Sequence, residues 1–291
     1  MPDPVYDLGM KKIWMVRSFA LSLALAGLWT ALTQQAPPAD LTVEKIADDL
    51  HVLVGSGGNV AVYTTPEGVI LVDDKFDQNF PQILAKVKTI TDKPIRYVLN
   101  THHHGDHTGG NQKMLLQNAE IVIHRNARAN MAKGNQPGLP RVTFADESAI
   151  FLGGKEVRAR HFGRGHTNGD AVVLFPERRT LHTGDLVVAG PPLIDYANGA
   201  SGVEWTATLK AALQLDFDTV IPGHGPIMKR ADVEQFIKTF ETVRNRISEQ
   251  RRQGKSKDEV VKTLKIDDLG WTANATWTNR SLPGLFDELA R

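Results

Sequence analysis

His102, His103, His104, Asp106 and His107 fall together within residues 101–107, immediately ahead of Gly109 and Gly110, where the chain can turn. Two neutral imidazoles separated by one residue on an extended chain project to the same side, so His102 and His104 can chelate one metal ion. Asp106 and His107 then face a second. His103, between the two, points the other way and reads as structural, or as support for a ligand from behind. A chance histidine-rich loop or a surface metal patch would need neither an acid at a fixed offset nor distant partners.

Distant partners are present. His166 lies in the glycine-rich run Gly163, Arg164, Gly165, His166, Thr167, Asn168, Gly169, Asp170; Asp185 closes Leu181, His182, Thr183, Gly184, Asp185; His224 sits between Gly223 and Gly225. Each is expected in a tight turn after a strand. Side chains at strand ends along one edge of a sandwich converge without being close in sequence, which is how separate loops assemble a metal centre. The chain has no cysteine, so thiolate nucleophiles, disulfides and sulfur-ligated zinc are all excluded. Any metal must be held by histidine and carboxylate.

The elements that deliver these residues can be read from patterning. Residues 51–54, 60–64 and 69–72 are β-branched runs separated by the glycine-rich 55–58 and by Pro66, Glu67, Gly68, which predicts hairpins. Pro81 opens a helix with Ile83, Leu84, Val87 and Ile90 on one face, and residues 96–100 return as a strand that runs into the histidine cluster. Further strands are expected at 156–162, 171–175, 179–182 and 219–221, with a helix near 203–215. The clearest helix is 232–250, with Val233, Phe236, Ile237, Phe240, Val243 and Ile247 on one stripe and Arg244, Arg246, Arg251 and Arg252 on a solvated face. Ser256 to Glu259 is a capping box that starts another helix through Leu264. Two sheets between outer helices account for both halves, an α/β (α+β) architecture with chemistry at one edge.

Length and charge narrow the functional classes. A chain of 291 residues can bury one large core, and 34 Lys plus Arg against 33 Asp plus Glu give a net charge of +1. That charge supplies no long-range field for a polyanion, so nucleic acid is not expected as a partner and a small-molecule substrate is. At the N-terminus, Lys11, Lys12 and Arg17 precede an uncharged apolar run over 18–32, ended by Gln34, Gln35, Pro37 and Pro38. Residues 1–36 therefore read as an export signal, with Ala24, Leu25, Ala26 as a processing site and an uncleaved N-terminal anchor as the alternative. The run is short for a span, which needs about 20 apolar residues. The domain that carries the chemistry is placed at 40–291, periplasmic or secreted and away from the membrane once the signal is cleaved.

The ordered set His102, His104, Asp106, His107, His166, Asp185 and His224 resembles the signature motifs of the metallo-β-lactamase superfamily, and Asp73, closing Ile70, Leu71, Val72, resembles its first motif. The resemblance implies a four-layer αβ/βα sandwich holding two zinc ions per chain, with iron or manganese as alternatives. Carried over by position, His102, His104 and His166 would bind the first ion, Asp106, His107 and His224 the second, and Asp185 would bridge them. Asp73 would support the metal loop from behind. A hydroxide shared by the ions would attack a carbonyl carbon, with Asp106 as the catalytic residue that orients it.

Superfamily β-lactamases with a zinc-binding cysteine carry it where this chain has Asp185, and a lysine where it has Val188. The aspartate is instead similar to that of thioesterases of the glyoxalase II type and of lactonases, although no glutathione-binding tail is recognisable after Pro226. An ester, thioester, lactone or β-lactam is the expected substrate. Two rivals remain: an iron-dependent oxidoreductase of the persulfide dioxygenase or diiron type, and a binding protein whose metal is structural only. Residues 191–205, with Tyr196 and Asn198, are the expected substrate wall. His182 is read as packing or support, His51, His124 and His161 as ordinary surface or core residues, and Trp271 and Trp277 as packing anchors.

Overall fold

A computed structural model of the chain describes residues 40–290. The export signal expected at 1–36 lies outside the described residues. Those that are described belong to one compact unit, Pro38–Arg291.

The chain first lays down a seven-stranded sheet. Its strands are β1 (Thr42–Ala47), β2 (Leu50–Val54), β3 (Val60–Thr65), β4 (Gly68–Val72), β5 (Ile95–Asn100), β6 (Glu120–His124) and β7 (Val142–Phe144), side by side in sequence order. The first four pair antiparallel; β4 to β7 pair parallel, with helices α1 (Phe80–Ile90), α2 (Gly105–Thr108), α3 (Asn111–Leu116) and α4 (Arg125–Lys133) in the crossovers. The second sheet contains β8 (Glu147–Leu152), β9 (Lys155–Arg160), β10 (Val172–Phe175), β11 (Thr180–Val188), β12 (Thr219–His224) and β13 (Met228–Lys229), again in sequence order. It is antiparallel except where β11 and β12 run together, joined through α5 (Trp205–Ala212). The tail adds α6 (Arg230–Arg252), α7 (Lys257–Thr263), a π-helical turn (Trp277–Ser281) and α8 (Leu282–Glu288).

Side-chain alternation explains the layering. In β4, Ile70 and Val72 face the second sheet and join Val157, Ala159, Val173 and Phe175, whereas Val69 and Leu71 face outward onto Ile83 and Val87 of α1 and Met114 of α3. A strand covered on both faces must be apolar throughout, as β4 is. Beyond the second sheet, Trp205, Phe236, Phe240, Val243, Ile247, Trp271 and Trp277 form the outer core, each burial worth roughly 1.5–3 kcal/mol. The result is the αβ/βα sandwich expected from the motifs. Among the described residues no helix is long and apolar enough to cross a membrane.

Several elements differ from the reading of the sequence. β1, β6, β7 and β8 were not anticipated; β8 has an exposed Phe151 and an irregular alternation, and β7 is three residues long. The arginines of α6 do more than meet solvent. Arg244 donates to the carbonyl oxygens of Gly202 and Val203, and Arg246 pairs with Asp268 at 2.6 Å, so this face clasps a loop and the tail. Trp271 and Trp277 are buried packing residues, as expected.

At the end of the sandwich away from the 55–59 loop, Asp49 ties the sheets together. Arg178 reaches it through Nε at 2.6 Å and Nη2 at 2.7 Å, and Lys155 pairs with it as well. Burial opposes its ionisation, yet the hydrogen bonds from Arg178 and Lys155 hold its pKa at about 2. A carboxylate with a lowered folded pKa stabilises above its ordinary value, about 4, and ceases to do so as the pH falls towards about 2. Asp49→Asn is therefore expected to cost about 1–3 kcal/mol at neutral pH. Urea unfolding at a series of pH values should show that deficit shrinking between about pH 4 and about pH 2; a deficit independent of pH would refute the assignment.

Candidate metal centre

The sequence-singled residues reach one edge of the sandwich from both sheets. The end of β4 delivers Asp73, whose φ of 65° turns the chain sharply; the end of β5 leads into Thr101 and the histidines, with Asp106 and His107 in the short α2. His166 lies between β9 and β10, and His224 ends β12. Asp185 is placed differently from the tight turn expected. It lies inside the nine-residue β11, where pairing with β12 slips around Gly184, which has φ 49°. This bulge turns the carboxylate out of the ladder and into the cluster.

His102 Nε2, His104 Nδ1 and His166 Nε2 converge: His104 Nδ1 is 3.2 Å from the first and 2.8 Å from the second. The other nitrogen of each ring identifies the tautomer. His166 Nδ1 meets the Leu193 carbonyl oxygen at 2.8 Å, and His104 Nε2 meets Asp195 Oδ2 at 2.9 Å; both partners only accept, so both rings donate outward. Thr101 Oγ1 gives its proton to Asp73 Oδ2 and is 3.1 Å from His102 Nδ1, so it accepts from that ring. Three bare lone pairs thus face one another. Burial pushes the pKa of His166 down to about 4 and that of His102 well below its ordinary value, which keeps both rings neutral.

The second group is built similarly. His107 Nδ1 donates to Asp73 Oδ2 at 2.7 Å, which turns Nε2 toward His224 Nε2 at 3.4 Å and Asp106 Oδ2 at 3.5 Å. His224 Nε2 is 3.1 Å from Asp106 Oδ2. Asp185 stands between the groups, with Oδ2 3.5 Å from His166 Nε2 and Oδ1 3.2 Å from His107 Nε2 and 3.4 Å from His224 Nε2. Its Oδ1 is buried without a hydrogen-bond partner. Burial works against charge on His107 and His224, but Asp185 with Asp73 raises the first well above its ordinary value, and Asp106 with Asp185 raises the second to about 9. The acids draw positive charge inward. His107 is fully enclosed, whereas the side chains of His224 (39 % exposed), Asp106 and His104 (each 22 %) mark the open side.

Close approach of backbone shapes the floor. A Cβ on Gly223 would overlap Asp185 Oδ1, and one on Gly58 would overlap the His107 ring. The 55–59 loop is pinned there: Gly58 N donates to the Asp106 carbonyl oxygen at 3.0 Å, and Asn59 Nδ2 donates to the carbonyl oxygens of Pro222 and Gly225, both at 2.9 Å. His182 is a strut in this arrangement, since Gly184 N donates to its Nδ1 and its Nε2 donates to the Asn59 carbonyl oxygen at 3.1 Å.

Two supporting residues were missed from the sequence. Lys75 is wholly buried and donates to the Gly58 carbonyl oxygen at 2.6 Å; burial brings its pKa down to about 8, while Asp106 and Asp73 resist the fall. Its signal was a lysine directly after two acids at the end of an apolar strand. Asp195 holds His104 and also accepts from Asn198 Nδ2 at 2.6 Å. It lies within the segment read as a substrate wall, beside the two residues named there, but at no offset that marks a ligand partner. Its loop is stapled by the tail: Ser281 Oγ accepts from Ile194 N at 3.0 Å, and the Glu288 carboxylate accepts from Tyr196 OH, Ser201 Oγ and Gly202 N at 2.5–2.9 Å.

His103 is buried outside the converging set, its Nε2 3.9 Å from Asp195 Oδ2. His124 stacks on His161 with centroids 4.0 Å apart, and neither joins the cluster; His51 lies on β2.

Comparison with known proteins follows the same lines. The family model described as the metallo-beta-lactamase superfamily matches residues 53–224. A metallo-beta-lactamase type 2 of Elizabethkingia meningoseptica is 26% identical over 210 residues, spanning 69% of this chain and 82% of its own length. One of Bacillus cereus is 29% identical over 178 residues, spanning 59% and 68%. Among solved structures, a metallo-beta-lactamase from Pontibacter korlensis matches with a TM-score of 0.64 at 23% identity, covering 69% of this chain and 99% of that one, a likeness of fold. Motifs, geometry and relatives agree: the chain is a metal-dependent hydrolase belonging to the metallo-β-lactamase superfamily.

Proposed function

We propose that this protein is a dinuclear zinc hydrolase that cleaves an ester, thioester, lactone or β-lactam bond in a small molecule. The observation that carries the reading is Asp185: a carboxylate standing between the two groups of histidines, with one oxygen toward each. A carboxylate set among unprotonated ring nitrogens at this spacing is unfavourable unless a cation lies between them. Imidazole nitrogens with carboxylate oxygens and no sulfur suit zinc, and iron or manganese are tolerated by the same donors. His102, His104 and His166 with Asp185 would hold one ion; Asp106, His107 and His224 with Asp185 would hold the other.

Zinc bound there supplies Lewis acidity, which lowers the pKa of water from about 15.7 toward about 7 and polarises a carbonyl. The chain's residues do the rest. Asp106, partly exposed beside His224, accepts a hydrogen bond from the attacking water and orients it. Asp73 and Asp195 fix the tautomers of His107 and His104, so that the lone pairs needed for binding point inward. The 55–59 loop covers His107 and shields that side from solvent. Val188 puts an aliphatic side chain three residues beyond Asp185, and the reading is accordingly not restricted to β-lactams. The charged and apolar run at 11–32 supports export to the periplasm or beyond.

Elemental analysis of the full chain should find two zinc ions, and a screen of esters, thioesters, lactones and β-lactams should find turnover that His104→Ala reduces by about 100-fold or more. Iron with an optical band would replace the hydrolytic reading by an oxidative one; equal activity of the variant and wild type would remove the catalytic reading altogether. Asp195→Asn is expected to weaken zinc binding about 10- to 100-fold in chelator competition while leaving circular dichroism unchanged. Unaltered affinity would deny Asp195 its positioning role.

A further inference from the structure

His102 and His104 follow a strand of the first sheet and His166 a strand of the second, so their nitrogens meet at 2.8–3.2 Å only while the two halves of the sandwich stay in register beside them. A polar stripe on α4 spans that junction. Asn126, Asn130 and Lys133 are spaced by four and then three residues and share one face of the helix, while Ala127 and Met131 turn inward onto Ile123 and Leu139. On the polar face Asn126 Nδ2 donates to the Asn168 carbonyl oxygen and Asn130 Nδ2 to Asn168 Oδ1, both at 2.9 Å, and Lys133 Nζ donates to the Ala197 carbonyl oxygen at 3.2 Å. A helix of the first half thus grips two loops of the second.

Those loops carry the first group and its support. Asn168 lies two residues beyond His166, and Ala197 two beyond Asp195. The loops are also laced to each other: Asp195 N donates to the His166 carbonyl oxygen at 3.0 Å, Asn168 N to that of Asn198 at 3.1 Å, and Ser201 N to that of Gly165 at 3.1 Å. Packing leaves no slack, because a Cβ on Gly169 would overlap Ala127 N of α4 and one on Gly199 would crowd the Asn168 side chain. A shift of Asn168 is therefore passed on in two directions. It moves His166 along the chain, and through Asn198, which donates to Asp195 Oδ2 at 2.6 Å, it moves the acceptor that turns His104. The second group hangs elsewhere: Asp73 holds His107, Asn59 holds the turn around His224, and none of the α4 bonds reaches either.

Resting on the dinuclear zinc reading above, we propose that Asn126 and Asn130 are positioning residues for the first ion alone. They set where His166 stands against His102 and His104 and leave the ion at Asp106, His107 and His224 unaffected. Although Asp185 is common to both ions, the rest of the scaffold is divided between them, so the affinity for one can change while the other stays.

The test measures zinc affinity of the full-length chain by chelator competition in two backgrounds. His224→Ala leaves the first group intact, and His104→Ala leaves the second. Adding Asn126→Ala together with Asn130→Ala is expected to weaken zinc about tenfold in the His224→Ala background, at the lower end of what loss of a ligand's support costs, and to change nothing in the His104→Ala background. Equal weakening in both makes the stripe a general prop and overturns the proposal, as does no weakening in the first. Should the paired substitution fail to fold, as seen by circular dichroism, Asn130→Ala alone gives the same comparison with a smaller loss expected. A protein that shows the one-sided loss yet hydrolyses no ester, thioester, lactone or β-lactam in its wild-type form defeats the hydrolase reading alone. A wild-type chain that takes up no zinc defeats both.

Discussion

Lone pairs forced to face one another govern this structure. His102, His104 and His166 are each made to donate outward, to Thr101, Asp195 and the Leu193 carbonyl oxygen, so their inner nitrogens meet with no proton between them. Such an arrangement is unfavourable by itself and favourable around a cation, and the scaffold must be rigid enough to impose it. The rigidity comes from burial. Asp73 and Thr101 are nearly inaccessible, and the carboxylate of Asp73 binds Thr101 through backbone and hydroxyl while also orienting His107.

The double sandwich explains why distant residues can be brought within bonding reach of one another. Parallel neighbours β4 and β5 in one sheet, and β11 and β12 in the other, end at the same edge, so each pair delivers its loop there. Asn59 then crosses from the first sheet's loop to the last motif, and Asp185 is pressed by Gly223 on one side and the two histidine groups on the other. Helices on both outer faces exclude water from strands such as β4, whose side chains are apolar in both directions.

Much of this was legible in the sequence because the strongest signals were chemical. Histidines and acids amid glycines and strand ends identified the seven clustered residues, β-branched runs broken by glycine identified β2 to β4, and apolar stripes at helical spacing identified α1 and α6. What remained hidden was set by tertiary contact. β6 is a short apolar run like many buried helical segments, β8 lacks a clean alternation, and the bulge at Gly184 cannot be read from residue types. Asp195 acts through His104, far along the chain, and has no local pattern that would disclose its role; Lys75, behind two acids at a strand end, left a signal but not the identity of its partner, Gly58.

The staple made by Glu288 has a consequence for how the molecule comes into being. From the end of α8, it secures the segment that steadies Asp195 and, through it, one of the three facing imidazoles. The ring therefore gains its final support only from α8, which follows both sheets along the chain. A cut ahead of α8 would spare both sheets and still loosen the edge where the histidines meet, so that an intact scaffold with a poorly ordered His104 is the expected form of a clipped molecule.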